Sequence, residues 1–284
     1  MARVLSLLIV LYMLSGLCSP GQAKRLPGAN PEKILYKKVK NYKLYLHVFY
    51  PKKKSNRPVP AAVFFHAGGW NSGDPEQFYS QAKHLADKGL VGISVEYRIK
   101  NKHKSHPFDS VEDAKSAMRF IRKNAKNKGV FKVPIRRNKI AAGGASAGGH
   151  LAAAMATLSG FNAKSDDTSI STVPNALILF CPVYDNGPGG YAYGRPGIAA
   201  NYRKFSPLHN ISKKMPSTIV FLGTKDVLTP VPTAKKFQRL MKKEGVTSIL
   251  RLYKGQGHGF FNYGKEYDKT LKQMDQFLKK RKYF

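Results

Sequence analysis

The residues that most constrain what this chain can fold into are Gly144-Ala145-Ser146-Ala147-Gly148, a Gly-x-Ser-x-Gly set between a strand-like run at residues 139–143 and a helix-like run at residues 147–158. A serine at a sharp strand-to-helix turn takes a strained backbone and lifts its hydroxyl above the sheet, and the flanking glycines leave room for neighbouring elements. The pattern therefore asks for a strand that ends at a site and a helix that begins there. A glycine-rich turn with an incidental serine is the plain alternative, and residues elsewhere in the chain decide between the two.

From Ile34 onward strand-like and helix-like patterns alternate to the end, which argues for an α/β sheet. Strands are expected at residues 44–50, 61–66, 90–97, 139–143, 176–181, 218–223 and 249–253, and helices at 75–88, 110–127, 147–158, 231–244 and 267–280. Several strands are continuous apolar runs, the pattern of strands buried on both faces, so the sheet should be mainly parallel and covered by helices. Residues 160–174 and 185–214 are too long for simple connections, and the second, rich in Gly and Pro, is expected to form a small cap over a site. At 284 residues, 42% of them hydrophobic, one domain over residues 34–284 can bury its core without disulfides or a structural metal.

Residues 1–23 read as a secretory signal peptide: Arg3, an apolar run over 4–14, then a small-residue cleavage site at Gly21-Gln22-Ala23. That run is well short of the roughly 20 residues a membrane span needs, so no stable anchor is expected. Residues 24–33 look like a flexible arm, and the mature chain is expected to be secreted or periplasmic. Removal of the leader takes Cys18 with it and leaves Cys181, which excludes an intrachain disulfide framework and a Cys-rich zinc site. Lys plus Arg number 49 against 16 Asp plus Glu, a net charge of +33. Such an excess suits contact with a polyanion, and because no nucleic-acid-binding motif accompanies it, an acidic polysaccharide fits better than nucleic acid. The plain reading is a solvated lysine-rich surface with no single marked patch.

An acid and a base should follow the serine, each in a loop after a late strand. Asp226 stands in Gly223-Thr224-Lys225-Asp226 and His258 in Gly255-Gln256-Gly257-His258-Gly259-Phe260, both at such places. A hydroxyl is too weakly acidic to attack an ester unaided, so an imidazole must take its proton while a carboxylate holds the right tautomer. His66-Ala67-Gly68-Gly69-Trp70 follows an apolar strand, where backbone N–H groups could approach a developing oxyanion closely because side chains are missing. Gly68 and Gly69 are the expected donors, joined by the N–H of Ala147.

These motifs, with Ser94-Val95-Glu96-Tyr97-Arg98 and Gly257-His258-Gly259-Phe260-Phe261, resemble the acetyl esterase/lipase group of the α/β-hydrolase superfamily, near its hormone-sensitive-lipase-like and bacterial feruloyl-esterase-like members. The resemblance runs from about Ile34 to the C-terminus. It implies an eight-stranded, mainly parallel sheet with helices on both faces, a cofactor-free serine esterase without a metal, and Ser146, Asp226 and His258 as its triad. Ala67 departs from the group's pattern, which usually has glycine there.

Other residues carry weaker signals. Arg98 with Asp113 is expected to be a buried ion pair bracing the sheet. His103, His106 and Asp109 have a spacing that could touch a metal, but neighbouring Lys100, Lys102 and Lys104 would repel a cation. His150 is expected to be packed rather than a second base. Trp70 is a candidate wall of the acyl pocket, and Tyr191 and Tyr193, with Tyr202 and Arg203, are candidate substrate contacts. The favoured reading is a secreted serine carboxylesterase acting on short acyl esters, acetyl or feruloyl, carried on carbohydrate. The alternatives are a serine peptidase of the same fold and a non-catalytic polyanion-binding protein.

Overall fold

A computed structural model describes residues 26, 28–53 and 55–284; the expected signal peptide at 1–23 lies outside them. Among the described residues, eight strands form one sheet: β1 (Glu32–Val39), β2 (Tyr42–Phe49), β3 (Val59–Phe65), β4 (Val91–Val95), β5 (Ile135–Ala145), β6 (Ala176–Phe180), β7 (Thr218–Gly223) and β8 (Ser248–Tyr253). Their order is β1-β2-β4-β3-β5-β6-β7-β8. The pairs β1–β2 and β2–β4 are antiparallel, and every pair from β4 to β8 is parallel. All residues of β4, β6 and β7 are buried. Successive side chains on a strand point to opposite faces, so complete burial means that both faces of the sheet are covered.

The helices are α1 (Tyr79–Asp87), α2 (Pro107–Asn124), α3 (Ala147–Thr157), α4 (Ile198–Phe205), α5 (Val231–Lys243) and α6 (Gly264–Lys280), of which all but α4 pack on strands of the sheet. A single helical turn, Lys100–His103, precedes α2. Helix α2 starts three residues earlier than the sequence pattern suggests. Pro107 takes the first helical position, where its missing N–H costs nothing, and the Asp109 carboxylate accepts the His106 N–H at 2.7 Å.

Two elements differ from expectation. The sequence pattern gave no strand before residue 44, yet β1 occupies Glu32–Val39 and takes the last two residues of the expected arm. It is an edge strand on which Tyr36 alone is buried, so its apolar run is only Ile34-Leu35-Tyr36; its lysines blunt an edge that would otherwise invite pairing with another chain. Within the stretch expected to be irregular, α4 forms after Gly197, whose φ of 78° suits glycine. It buries only Ile198 and Phe205, too faint a periodicity to read.

The Arg98 brace is built as expected. Asp113, fully buried, accepts from Arg98 Nε at 2.8 Å, Arg98 Nη2 at 2.9 Å and the Arg98 backbone N–H at 2.9 Å, and from Lys37 Nζ at 2.7 Å. This ties the chain just past β4 to α2. Glu96 turns the other way and meets His47 of β2 at 3.0 Å.

Because the central strands are parallel, the loops after β3, β5, β7 and β8 emerge at one edge of the sheet. Those four loops carry the residues singled out by the sequence.

Candidate active site

Ser146 sits between β5 and α3 with φ 52° and ψ −118°, a left-handed backbone that costs a residue with a side chain about 1–3 kcal/mol. The surroundings hold it there. Its N–H donates to Phe180 O of β6 at 3.0 Å, and its carbonyl accepts from His150 N at 3.0 Å and Val183 N at 3.1 Å. Gly148 lies so close to the carbonyl oxygens of Phe65 and His66 that a Cβ would collide with both. The Ser146 turn is thereby pressed against the end of β3, where the loop carrying Gly68 and Gly69 starts.

His258 Nδ1 and Asp226 Oδ2 are 2.7 Å apart. A carboxylate only accepts, so Nδ1 carries a proton, and in the neutral imidazole Nε2 keeps its lone pair. Asp226 is held in turn by Leu228 N at 2.9 Å, Thr229 N at 3.0 Å and Thr229 Oγ1 at 2.9 Å. Burial pushes the Asp226 carboxyl up, but the hydrogen bonds from His258 and Thr229 outweigh it and hold the group below its ordinary range. The acid therefore stays ionised beside the base.

The loop after β3 turns sharply at Gly68, whose carbonyl accepts from Asn71 N at 3.0 Å and Ser72 N at 3.1 Å. With φ 122° and the Ser72 carbonyl pressed against it, that position admits only glycine. Among the described residues, the N–H groups of Gly68 and Gly69 have no hydrogen-bond partner. Ala147 is the first residue of α3, whose N–H has no acceptor within the helix. Ala67, the departure from the group's pattern, is outside the left-handed region and loses nothing by having a Cβ. Its N–H donates to Gln77 Oε1 at 2.7 Å. His66 stacks on Tyr97, and its Nδ1–H donates to Ala67 O at 2.7 Å. Burial drives its pKa down to about 4, so it stays neutral.

The residues of 185–214 divide between two places. The Tyr191 hydroxyl packs on Gly69, and the Tyr191 ring lies 5.9 Å from that of Trp70. Trp70 is buried between Tyr191, His150 and Phe205. Tyr193 instead packs on Tyr202, with the Arg203 guanidinium over the Tyr202 ring, a cluster of its own. His150 is fully buried, donates from Nε2 to Phe205 O at 2.9 Å, and has its pKa lowered to about 3 by burial.

Four residues at the site were not found from sequence. Arg195 donates to Gly69 O at 2.7 Å and Asn71 Oδ1 at 3.2 Å, joining the insertion to the oxyanion loop. Gln77 bridges Ala67 to Asn262 of the His258 loop. Thr229 fixes the acid, and the Cys181 thiol donates to His258 O at 2.9 Å. None has a motif around it; only Thr229, three residues after an expected catalytic acid, offered a local signal, that of an Asx turn. Cys181, Asp226 and His258 place ligand-type atoms within 4.8 Å of one another, and each of the three side chains is already engaged in a hydrogen bond just described. His103 Nδ1, His106 Nε2 and Asp109 are likewise taken up by Ile99 N, Pro196 O and Arg98. The arrangement offers a strained hydroxyl, an oriented imidazole with a fixed carboxylate, and N–H donors at a helix N-terminus. Those are the parts of acyl transfer.

Known proteins can be matched along most of the chain. The BD-FAE family matches residues 46–177, and the dienelactone hydrolase family matches residues 191–282. Esterase LipC of Mycobacterium tuberculosis is 27% identical over 76% of this chain and 56% of its own length. The acetylxylan esterase of Xylanibacter ruminicola is 26% identical over 81% of this chain and 47% of its own length. The chain thus spans about half the length of these two relatives. Among solved structures, propionate-bound esterase 2 of Thermogutta terrifontis superposes with a TM-score of 0.81 at 36% identity, covering 90% of this chain and 96% of that one.

Proposed function

The chain belongs to the α/β-hydrolase superfamily, within its group of esterases, and from that membership we propose that it is an exported serine carboxylesterase cleaving short acyl esters on carbohydrate. The observation that carries the mechanism is the 2.7 Å hydrogen bond from His258 to a carboxylate already fixed by its own loop, at the sheet edge where Ser146 is held in a strained turn.

The steps follow from the atoms available. Ser146 Oγ bonds to the ester carbonyl carbon while its proton passes to His258 Nε2. Asp226 stabilises the imidazolium through Nδ1–H, and the carbonyl oxygen, now negative, takes hydrogen bonds from Gly68, Gly69 and Ala147. Collapse of the tetrahedral intermediate breaks the carbon–oxygen bond to the alcohol, which leaves with the proton from Nε2. Water then attacks the acyl-serine by the same route, releasing the acid and restoring Ser146.

Support for a short acyl group comes from the ring of Trp70, Tyr191 and His150 beside the oxyanion loop and from the propionate bound by the Thermogutta esterase. A carbohydrate alcohol is supported by likeness to an acetylxylan esterase, export by the leader-like residues 1–23, and an acidic polysaccharide by the +33 charge. Purified protein should release acetate or ferulate from a panel of acetylated and feruloylated polysaccharides, neutral and acidic, and Ser146→Ala should release neither. Turnover that survives Ser146→Ala rules the mechanism out.

A further inference from the structure

Beside the oxyanion loop lies a cleft of about 530 Å³ lined by Asn71, Lys100, Lys104, His106 and Arg195 among others, with no carboxylate in its wall. Its walls are fixed by hydrogen bonds to the same loop that carries Gly68 and Gly69. The N–H groups of Lys100 and Asn101 donate to Trp70 O and Asn71 O, each at 2.9 Å. Across the cleft, Arg195 holds Gly69 O, and the adjoining Pro196 carbonyl accepts from His106 Nε2 at 2.5 Å. Asp109, the acid nearest in sequence, is taken up by Arg98 and the His106 N–H.

The cleft therefore concentrates uncompensated positive charge. Lys100 and Lys104 stand four apart on one helical turn, where like charges repel, and Lys104 takes a left-handed backbone with φ 51° to end that turn. Here two exposed ammonium groups and a guanidinium share a concave wall with Asn71, two residues along the loop from Gly69. A concave wall of one sign raises the local concentration of counter-charged substrate.

We propose that this cleft is a substrate subsite that takes a carboxylate or sulfate carried by the sugar whose ester is cleaved, making acidic esters the preferred substrates. The inference rests on the esterase reading above and names the charge class of its substrate. Two pairs of probes test it: an O-acetyl methyl galacturonoside against the matching O-acetyl methyl galactoside, and an O-acetyl galactose 6-sulfate against its unsulfated form. In low salt the wild type should show a higher kcat/KM for one or both acidic members, and the pair that responds identifies the anion. Lys100→Ala/Lys104→Ala should cut the acidic-to-neutral ratio about fivefold, in line with two partly exposed ion pairs. Lys242→Ala/Lys243→Ala, on the last turn of α5, should leave the ratio in place. A wild-type ratio of one for both pairs, or an equal fall in the two double variants, overturns the subsite. Loss of all four sugar esters as substrates, with p-nitrophenyl acetate still cleaved, overturns the carbohydrate reading on which it rests.

Discussion

Two long connections, residues 158–174 and residues 181–214, the second carrying α4, are both tied down by cationic or N–H side chains donating to main-chain carbonyls, yet they serve different ends. In the first, three residues on one face of α2 form a strap. Lys115 Nζ donates to the carbonyls of Leu158 and Gly160, Arg119 to Ile170 O at 3.2 Å, and Arg122 to Ser171 O at 2.5 Å and Val173 O at 2.6 Å. Arg119 also pairs with Asp166 at 2.8 Å. In the second stretch the ties cross to the site: Arg195 to Gly69 O, and His150 of α3 to Phe205 O. The same kind of bond secures a loop in one place and, in the other, holds Gly69, a proposed oxyanion donor. Breaking the first should cost stability and spare turnover, whereas breaking the tie from Arg195 in the second should cost turnover.

Acid separates the two regions most strongly. His66 and His150 have folded pKa values of about 4 and about 3, below the ordinary 6.5, because burial disfavours their charged forms. Between those values the unfolded chain binds protons that the folded chain refuses, so their stabilisation is complete above about pH 6.5 and is lost as pH falls toward 4. From pH 7 to pH 5 the loss should reach about 4 kcal/mol for the two together, read as a falling urea midpoint. His150→Gln, which keeps a donor for Phe205 O, should remove about half of that slope. The strap does not titrate in this window, since burial lowers Lys115 only to about 8.

Next in size is the strap itself. Lys115→Met leaves two loop carbonyls without their donor and should cost about 2–3 kcal/mol, lowering Tm by about 5 °C. At 25 °C its kcat for p-nitrophenyl acetate should stay within about twofold of wild type. A parallel fall in kcat would erase the distinction between the regions.

The smallest effect is the most specific. Arg195→Ala should lower kcat for p-nitrophenyl acetate about tenfold with little change in KM, less than the loss of a direct oxyanion donor, because Arg195 acts through Gly69. Arg195→Lys should restore part of it. A change confined to KM would make Arg195 a binding residue and not a positioning one.

How much of this was legible in the sequence follows from the same contrast. Strands β4, β6 and β7 announce themselves because burial on both faces demands apolar runs, and the Ser146, Asp226 and His258 motifs stand out because a strained turn and two loop positions restrict the residue types allowed. Edge strand β1 escaped notice because one buried residue, Tyr36, leaves no pattern. Arg195 and Gln77 escaped for another reason. Their roles depend on partners 126 and 10 residues away, and nothing local to either residue marks such a pairing. The separation of Tyr191, on the oxyanion loop, from Tyr193, packed on Tyr202, is likewise set by the path of the insertion and not by the residue type.

The account stands on Ser146 as the nucleophile, and covalent trapping reads that directly. Treatment with a p-nitrophenyl organophosphonate should release one equivalent of p-nitrophenol per chain, end esterase activity, and leave a single adduct that peptide mass spectrometry places on Ser146. An adduct on any other residue that accompanies full inactivation, or full activity in a quantitatively labelled Ser146 protein, would contradict it.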